Sequence, residues 1–303
     1  MAIICFDIGG SFIKSAVARA PEDITPLPSH PTPLEDFDAF AATLIGVIAA
    51  AGIRPERVAM SITGIIDPET GVATVANIAC IHRRALRADL ERLLGMDVLV
   101  ANDADCFALA EAGLGAGRGH AIVLGAILGS GVGGGLVANG RLVNEGGGFA
   151  GEWGHGPVLP SFAGDPPIAI PAYECACGQR SCLNTVGGAR GMERLHRDIH
   201  GAERSSRDIV DAWRSGDPAA TRTIEIYVDL VATPLALAVN ITGASIVPVG
   251  GGLAKSGPLM ERLDDAVRAR TLRKFWRPLV VPGSLSIEPG LAGAALLGLG
   301  AEE

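Results

Sequence analysis

The stretch AIICFDIGGSFIKSAVA, residues 2–18, sets two apolar runs on either side of Gly9-Gly10. Such runs flanking a glycine pair predict strand, tight turn, strand, with Gly9 and Gly10 at the hairpin tip. Residues 121–143, AIVLGAILGSGVGGGLVANGRLV, restart with the same arrangement after GLGAGRGH at 113–120, a candidate domain boundary. A repeated hairpin is expected to give two lobes, each offering a glycine-rich loop toward a shared cleft, a geometry suited to holding a polyphosphate. Gly250-Gly251-Gly252 follows a third apolar strand, Ala244–Val249, and marks another point where backbone can come close to a ligand.

Working outward, the first hairpin is followed by a Pro-rich stretch from Pro21 to Pro33 that carries no predicted element. A helix is predicted over Phe37–Ala51, a strand over Val58–Ile62 ending in Thr63-Gly64, a helix over Leu86–Leu94 and a strand over Val98–Ala101. Asn102-Asp103 then joins that strand to a helix over Ala104–Ala112. The later part reads as helices at Ser206–Ser215, Pro218–Val239 and Leu259–Thr271, with a small-residue helix at the end. The class is α/β, in which ligand groups usually sit at strand carboxyl ends.

Composition narrows the function. Of 303 residues, 48% are hydrophobic and 19% charged, so the chain folds, and its length suits two domains. Twenty-five Lys+Arg against 33 Asp+Glu, without a basic block, leave no electrostatic footprint for nucleic acid. The N-terminus has no basic n-region and holds Asp7 where a secretory signal would be apolar. The uncharged stretches 121–140 and 230–254 are interrupted by glycines, Pro234 and Asn240, so no membrane span is expected. A reducing cytoplasm is the expected setting, with the six cysteines free, metal-bound or reactive.

Three clusters could carry chemistry. In Asp7-Ile8-Gly9-Gly10-Ser11, successive N–H groups of a glycine turn can cradle an anion and Ser11 can add a hydroxyl donor. The same residues also suit an ordinary hairpin turn. Asp7 favours a phosphate site, because a carboxylate there is repelled unless Mg2+ lies between. Gly129, Ser130, Gly131 and Gly133 repeat the logic in the second hairpin. Asn102-Asp103 is the second cluster: Asp103 can orient an attacking hydroxyl and accept its proton, while either residue can also serve as a helix N-cap. The third is Glu152-Trp153-Gly154-His155 with CACGQRSC at 175–182. His155, Cys175, Cys177 and Cys182 match a closed Cys3His zinc set, the alternatives being a reactive thiol cluster or free buried cysteines. Zinc would pin the Pro-rich loop from Gly156 to Glu174 and hold Glu152 ready to accept sugar hydroxyl hydrogen bonds. His120, His196 and His200 are expected at the surface.

DIGGS, GSGVGGG, AGEWGH and CACGQRSC, in this order, resemble the ROK family of repressors, open reading frames and kinases, over nearly the whole chain. The resemblance implies a two-lobed actin-like ATPase (ribonuclease H-like) fold with an interlobe cleft. Residues 1–118, joined by a C-terminal helix 291–303, would form the small lobe and 119–290 the large one. It implies ATP phosphates at the first two glycine turns, with Asp7, Gly9, Gly10, Ser11 and Lys14 from the first. Gly250, Gly251 and Gly252 would lie near adenosine, and Asp103 would act as base on a sugar 6-hydroxyl. Gly64, Asn102, Glu152, His155 and Asn184 would contact the sugar, with Mg2+ and a structural zinc as metals.

The long His155–Cys175 loop and GGARGMERLH at 187–196 are similar to N-acetylglucosamine kinases, and SITGIID at 61–67 to N-acetylmannosamine kinases. The expected activity is therefore phosphorylation of an N-acetylhexosamine, N-acetylglucosamine first and N-acetylmannosamine second, by a cytoplasmic homodimer. Glucokinase- or fructokinase-type activity is the alternative. A sugar sensor or repressor is a further one, disfavoured because the hairpin begins by residue 3 and leaves no room for a DNA reader. Asn184 departs from the glutamate usual two residues after the last zinc cysteine. An amide there would weaken a hydroxyl bond by about 1 kcal/mol and alter sugar preference. Phe12 and Ser181 also replace commoner residues.

Overall fold

In the computed structural model, which describes residues 1–285 and 287–300, the first hairpin forms as read. Strands β1 (Ile3–Ile8) and β2 (Phe12–Ala20) pair antiparallel from Ile3↔Ala18 to Ile8↔Ile13, and Gly9–Ser11 make the turn. The Pro-rich stretch is not a loop: Asp23–Pro31 is strand β3 on the sheet edge, where a missing proline N–H leaves no ladder bond unmade. Helix α1 (Phe37–Ala50), capped by Asp36, leads to β4 (Arg57–Ile62) and the short β5 (Ile65–Ile66) and β6 (Ala73–Thr74). Then come α2 (Leu86–Leu94), β7 (Asp97–Asn102), α3 (Asp103–Gly113), β8 (Ile122–Leu128), β9 (Val132–Ala138) and β10 (Arg141–Leu142). The remainder comprises β11 (Phe162–Ala163), β12 (Ile168–Ala169), α4 (Ala189–His200), α5 (Ser206–Arg214), α6 (Pro218–Thr242), β13 (Val247–Gly250), α7 (Gly257–Arg270), β14 (Val280–Pro282) and α8 (Pro289–Leu299). Residues 301–303 of the C-terminal helix expected over 291–303 lie outside the described residues.

Two sheets have the orders β3-β2-β1-β4-β7 and β10-β9-β8-β13-β14. Numbered within each sheet, both read third, second, first, fourth, fifth. Two compact units divide the chain: Met1–Gly119 with Gly135–Ala150 and the segment from Leu285, and His120–Gly134 with Gly151–Ser284.

In the first unit β1 is apolar on both faces because both are covered. Ile4, Phe6 and Ile8 face Phe40 and Leu44 of α1 and Leu86 and Leu90 of α2. Ile3 and Cys5, with Ala16, Ala18 and Ala59, face Leu291, Ala294 and Ala295 of α8. Each fully buried large aliphatic side chain here contributes about 1.5–3 kcal/mol. Small residues on the second face let α8 lie close against the sheet.

In the second unit α6 is long and apolar enough to cross a membrane by length and composition, yet Ile224, Tyr227, Val231 and Leu235 are buried within the protein. The helix passes through Pro234, which does not break it, and ends where Gly243 adopts φ 72°. Helix α4, for which no element is predicted, corrects the expectation that His120, His196 and His200 lie at the surface. His196 is 1% exposed on the apolar face that α4 turns inward with Met192 and Leu195. Its Nδ1 lies 2.8 Å from the Thr223 hydroxyl on α6, which is also 3.2 Å from His200 Nε2. Burial lowers the pKa of His196. His120 is half-buried, 2.8 Å from the Ser245 hydroxyl.

Candidate functional site

At the carboxyl end of β7 the chain turns into α3, and capping falls to Asn102. Its Oδ1 accepts the Ala104 N–H at 2.8 Å while its Nδ2 donates to the Gly64 carbonyl at 2.8 Å. An amide nitrogen carries two hydrogens, so Asn102 can hold Gly64 and still donate to a ligand. Asp103 is left as the first helical residue, half-buried, where the positive end of the helix dipole favours negative charge. Behind it the buried Asp105 accepts from Asn144 Nδ2, which also donates to the Ala150 carbonyl at 2.8 Å. Gly64 lies so close to β6 that a Cβ there would stand 2.6 Å from the Thr74 carbonyl oxygen.

The first glycine turn is tied down from β3. Thr32 Oγ1 donates to the Gly9 carbonyl at 2.7 Å, and the Thr32 N–H donates to the Ser11 carbonyl at 3.1 Å. Asn77, unremarked in the sequence, joins this group: Thr63 Oγ1 donates to Asn77 Oδ1 at 2.8 Å, and Asn77 Nδ2 stands 3.0 Å from where a Cβ on Gly10 would be. No motif surrounds Asn77, so only the folded chain brings it there. Asp7 pairs across to Lys14 on β2 and Ser61 on β4. Lys14 Nζ lies 2.8 Å from Glu288 Oε1. The first turn of α8 presses on Asp7 so closely that a Cβ on Gly290 would overlap the carboxylate.

Burial raises the Asp7 pKa, with the Ser61 hydroxyl and Lys14 pulling it down and Glu288 pushing it up. A carboxyl whose folded pKa is raised costs stability once ionised. That cost is absent below the unfolded value near about pH 4, where both states are protonated, and is fully present above the folded value. Asp7→Asn is therefore expected to melt above wild type at neutral pH, with the difference vanishing as pH falls toward about 4. Thermal melts across that range check it; a variant melting well below wild type at neutral pH would show that ionised Asp7 stabilises the fold.

In the second unit two of the glycine motifs meet. β8 and β13 are parallel neighbours, with Gly250 opposite Ile127, so their carboxyl ends emerge side by side. Gly251, at φ 89°, comes so near that a Cβ would stand 2.7 Å from the Gly129 nitrogen. The Gly129 N–H donates to the Gly131 carbonyl at 3.0 Å, and the Ala189 N–H at the head of α4 donates to the Gly129 carbonyl at 2.8 Å. Gly187-Gly188 before α4 is thus a further glycine pair at this turn, legible in the sequence only as a branch marker. The Gly133 carbonyl accepts the Trp153 indole N–H at 2.9 Å, which fixes the start of the AGEWGH loop.

The donor atoms of His155, Cys175, Cys177 and Cys182 all lie within 4.8 Å of one another. Cys175 Sγ is 3.7 Å from His155 Nδ1, and Cys177 Sγ is 3.6 Å from Cys182 Sγ. Bond lengths of about 2.3 Å to sulfur around a tetrahedral ion imply sulfur separations of about 3.8 Å, so the set fits one such ion. It does not fit a disulfide, whose sulfurs lie about 2.05 Å apart. The Gln179 N–H and the neighbouring thiols hold Cys177 below the ordinary thiol range, while burial pushes Cys182 up. His155 Nε2, on the far side of its ring, faces Glu152 Oε2 at 3.9 Å. Burial raises the Glu152 pKa against the pull of that imidazole. Asn184 stands between this cluster and the glycine turn: its Oδ1 accepts the Val132 N–H at 2.8 Å and its Nδ2 reaches Cys175 Sγ at 3.8 Å.

Residues 3–300 match the ROK family. The chain is 34% identical over 299 residues to the N-acetyl-D-glucosamine kinase of Pasteurella multocida (strain Pm70), covering 96% of this chain and 97% of that one. It is 34% identical over 297 residues to the N-acetylgalactosamine kinase AgaK of Shewanella sp. (strain ANA-3), covering 97% and 96%. Among solved structures, a ROK hexokinase from Thermus thermophilus superimposes with a TM-score of 0.84 at 30% identity, covering 98% of this chain and 97% of that one.

Proposed function

The chain belongs to the ROK family, and from that premise we propose that it transfers the γ-phosphoryl group of ATP to the 6-hydroxyl of an N-acetylhexosamine, N-acetylglucosamine first and N-acetylmannosamine second. Its fold is of the actin-like ATPase, ribonuclease H-like class. The observation that carries the substrate class is the full-length match to relatives named for phosphorylating N-acetylhexosamines.

The residues fit the parts that phosphoryl transfer needs. Asp103, at the head of α3, orients the sugar hydroxyl and takes its proton as the new P–O bond forms and the bond from the γ-phosphorus to the β,γ-bridging oxygen breaks, releasing ADP, while positioning and charge stabilisation supply most of the acceleration. Asn102 donates to the sugar from its second Nδ2 hydrogen and holds Gly64 with the first. Glu152 accepts sugar hydroxyl hydrogen bonds, and His155, with Nδ1 on the metal side, donates from its Nε2–H. Ser130 and Gly131 of one turn and Gly10 and Ser11 of the other present backbone N–H groups to phosphate oxygens, the Gly129 and Gly9 N–H groups closing the turns themselves; Lys14 aids them, and Gly250–Gly252 receive the adenosine. Asp7 is the carboxylate that would hold Mg2+, which would supply neutralisation of phosphate charge. Zinc is the ion for which His155, Cys175, Cys177 and Cys182 are suited, and there its part is structural: it orders the loop that carries Glu152. Six thiols without a disulfide suit a reducing cytoplasm, where the enzyme would act as a homodimer on small sugars, apart from nucleic acid and membrane.

An ADP-coupled assay with ATP and a panel of N-acetylglucosamine, N-acetylmannosamine, N-acetylgalactosamine, glucose and fructose tests the reading. The highest kcat/KM is expected with N-acetylglucosamine. Preference for glucose or fructose would move the enzyme to the hexokinase branch. Absence of turnover with every sugar would replace catalysis with sensing.

A further inference from the structure

We propose that Asn184 is a positioning residue that couples the Cys/His metal cluster to the phosphate-facing turn at Gly129–Val132, and that it does not serve as a direct sugar ligand. Three hydrogen bonds fix the residue. Its backbone N–H donates to the Gly154 carbonyl at 2.8 Å, one residue before His155. Its Nδ2 points to Cys175 Sγ at 3.8 Å, a distance suited to an N–H···S bond, and its Oδ1 accepts the Val132 N–H at 2.8 Å. Two of these contacts reach the metal cluster and the third reaches the turn. The turn in its own right is built around the amide, because a Cβ on Gly131 would overlap Asn184 Oδ1.

The chemistry of the side chain decides the role. An amide accepts at one end and donates at the other, whereas a carboxylate only accepts. A thiolate that ligates a metal needs donors around it, and a turn that receives phosphate is disturbed by a nearby negative charge. Asparagine satisfies both neighbours at once. Aspartate, of the same shape, would satisfy Val132 alone, and would set an anion beside both the Cys175 sulfur and the incoming phosphates. With Oδ1 committed to the main chain of the turn, Asn184 acts on the reaction through Val132 and Cys175.

The test uses the metal-loaded full-length protein and Asn184→Asp, which keeps the shape and removes the donor. Release of metal to a chelating dye is expected to quicken about tenfold or more. In cobalt-substituted protein the thiolate-to-cobalt charge-transfer band is expected to shift. KM for ATP should rise about tenfold with KM for the sugar within about twofold, and Asn184→Gln, which retains both amide functions, should recover part of the loss. A change in sugar KM alone, with metal release and ATP KM unaltered, would overturn the proposal, as would no change in any readout. A second measurement needs no variant. In wild type, stripping the metal should speed amide hydrogen exchange at Leu128–Gly134 while leaving β4 unchanged; exchange at that turn indifferent to the metal would overturn the coupling. Only the KM readout rests on the kinase reading. If no sugar were turned over, that reading would fail, while metal release, the cobalt band and hydrogen exchange would still decide the role of Asn184.

Discussion

Asp103→Asn is expected to lower kcat about a thousandfold while sugar affinity stays within a few-fold of wild type. Positioned general bases contribute about 10²–10⁴ to rate, and a thousandfold corresponds to about 4 kcal/mol of transition-state stabilisation. Asparagine preserves the size and the polar contact at the head of α3 but cannot take the hydroxyl proton. The fold tolerates it because the cap is Asn102, whose Oδ1 already holds the Ala104 N–H. The loss of one negative charge in the first helical turn costs about 0.3–1 kcal/mol. The measurements are kcat and calorimetric sugar binding. A near-wild-type kcat would remove Asp103 from the mechanism.

The second large effect follows from the metal cluster. Wild-type protein should carry about one zinc per chain after washing with chelator, and Cys182→Ser should lose it, because four-ligand zinc sites contribute folding energy directly. Cys182 is fully buried, so its hydroxyl replacement also lacks water to compensate. kcat/KM for the sugar is expected to fall more than about a hundredfold, beyond the 10–100-fold typical of outer partners, since Glu152 and His155 lose their anchor. Residues 156–181 should become susceptible to limited proteolysis in the variant. Elemental analysis that finds no zinc in washed, folded wild type, or identical proteolysis of the two proteins, would sink the idea.

Elements whose cause is local were legible beforehand. The hairpins rest on apolar runs beside a glycine turn, α1 and α2 on periodicity with clear ends, and the Asn102 cap on a strand running into a helix. The Cys3His set was legible because three of its ligands fall in one loop, so chain geometry keeps their donors near one another. The edge strand β3 escaped because its prolines lower strand preference, and only a free edge tolerates them. Helix α4 escaped because Gly187-Gly188 reads as loop while its apolar face, with His196 upon it, is narrow.

The sequence alone determined the family, the fold class and which residue types could do the chemistry, since those depend on spacing along the chain. Tertiary structure alone decided that α8 presses on Asp7, that Asn77 stands over Gly10, and that Asn184 bridges Cys175 to Val132. The Gly290–Asp7, Asn77–Gly10 and Asn184–Val132 approaches join segments far apart in sequence, and such contacts are set by how helices and strands pack, which no local pattern encodes.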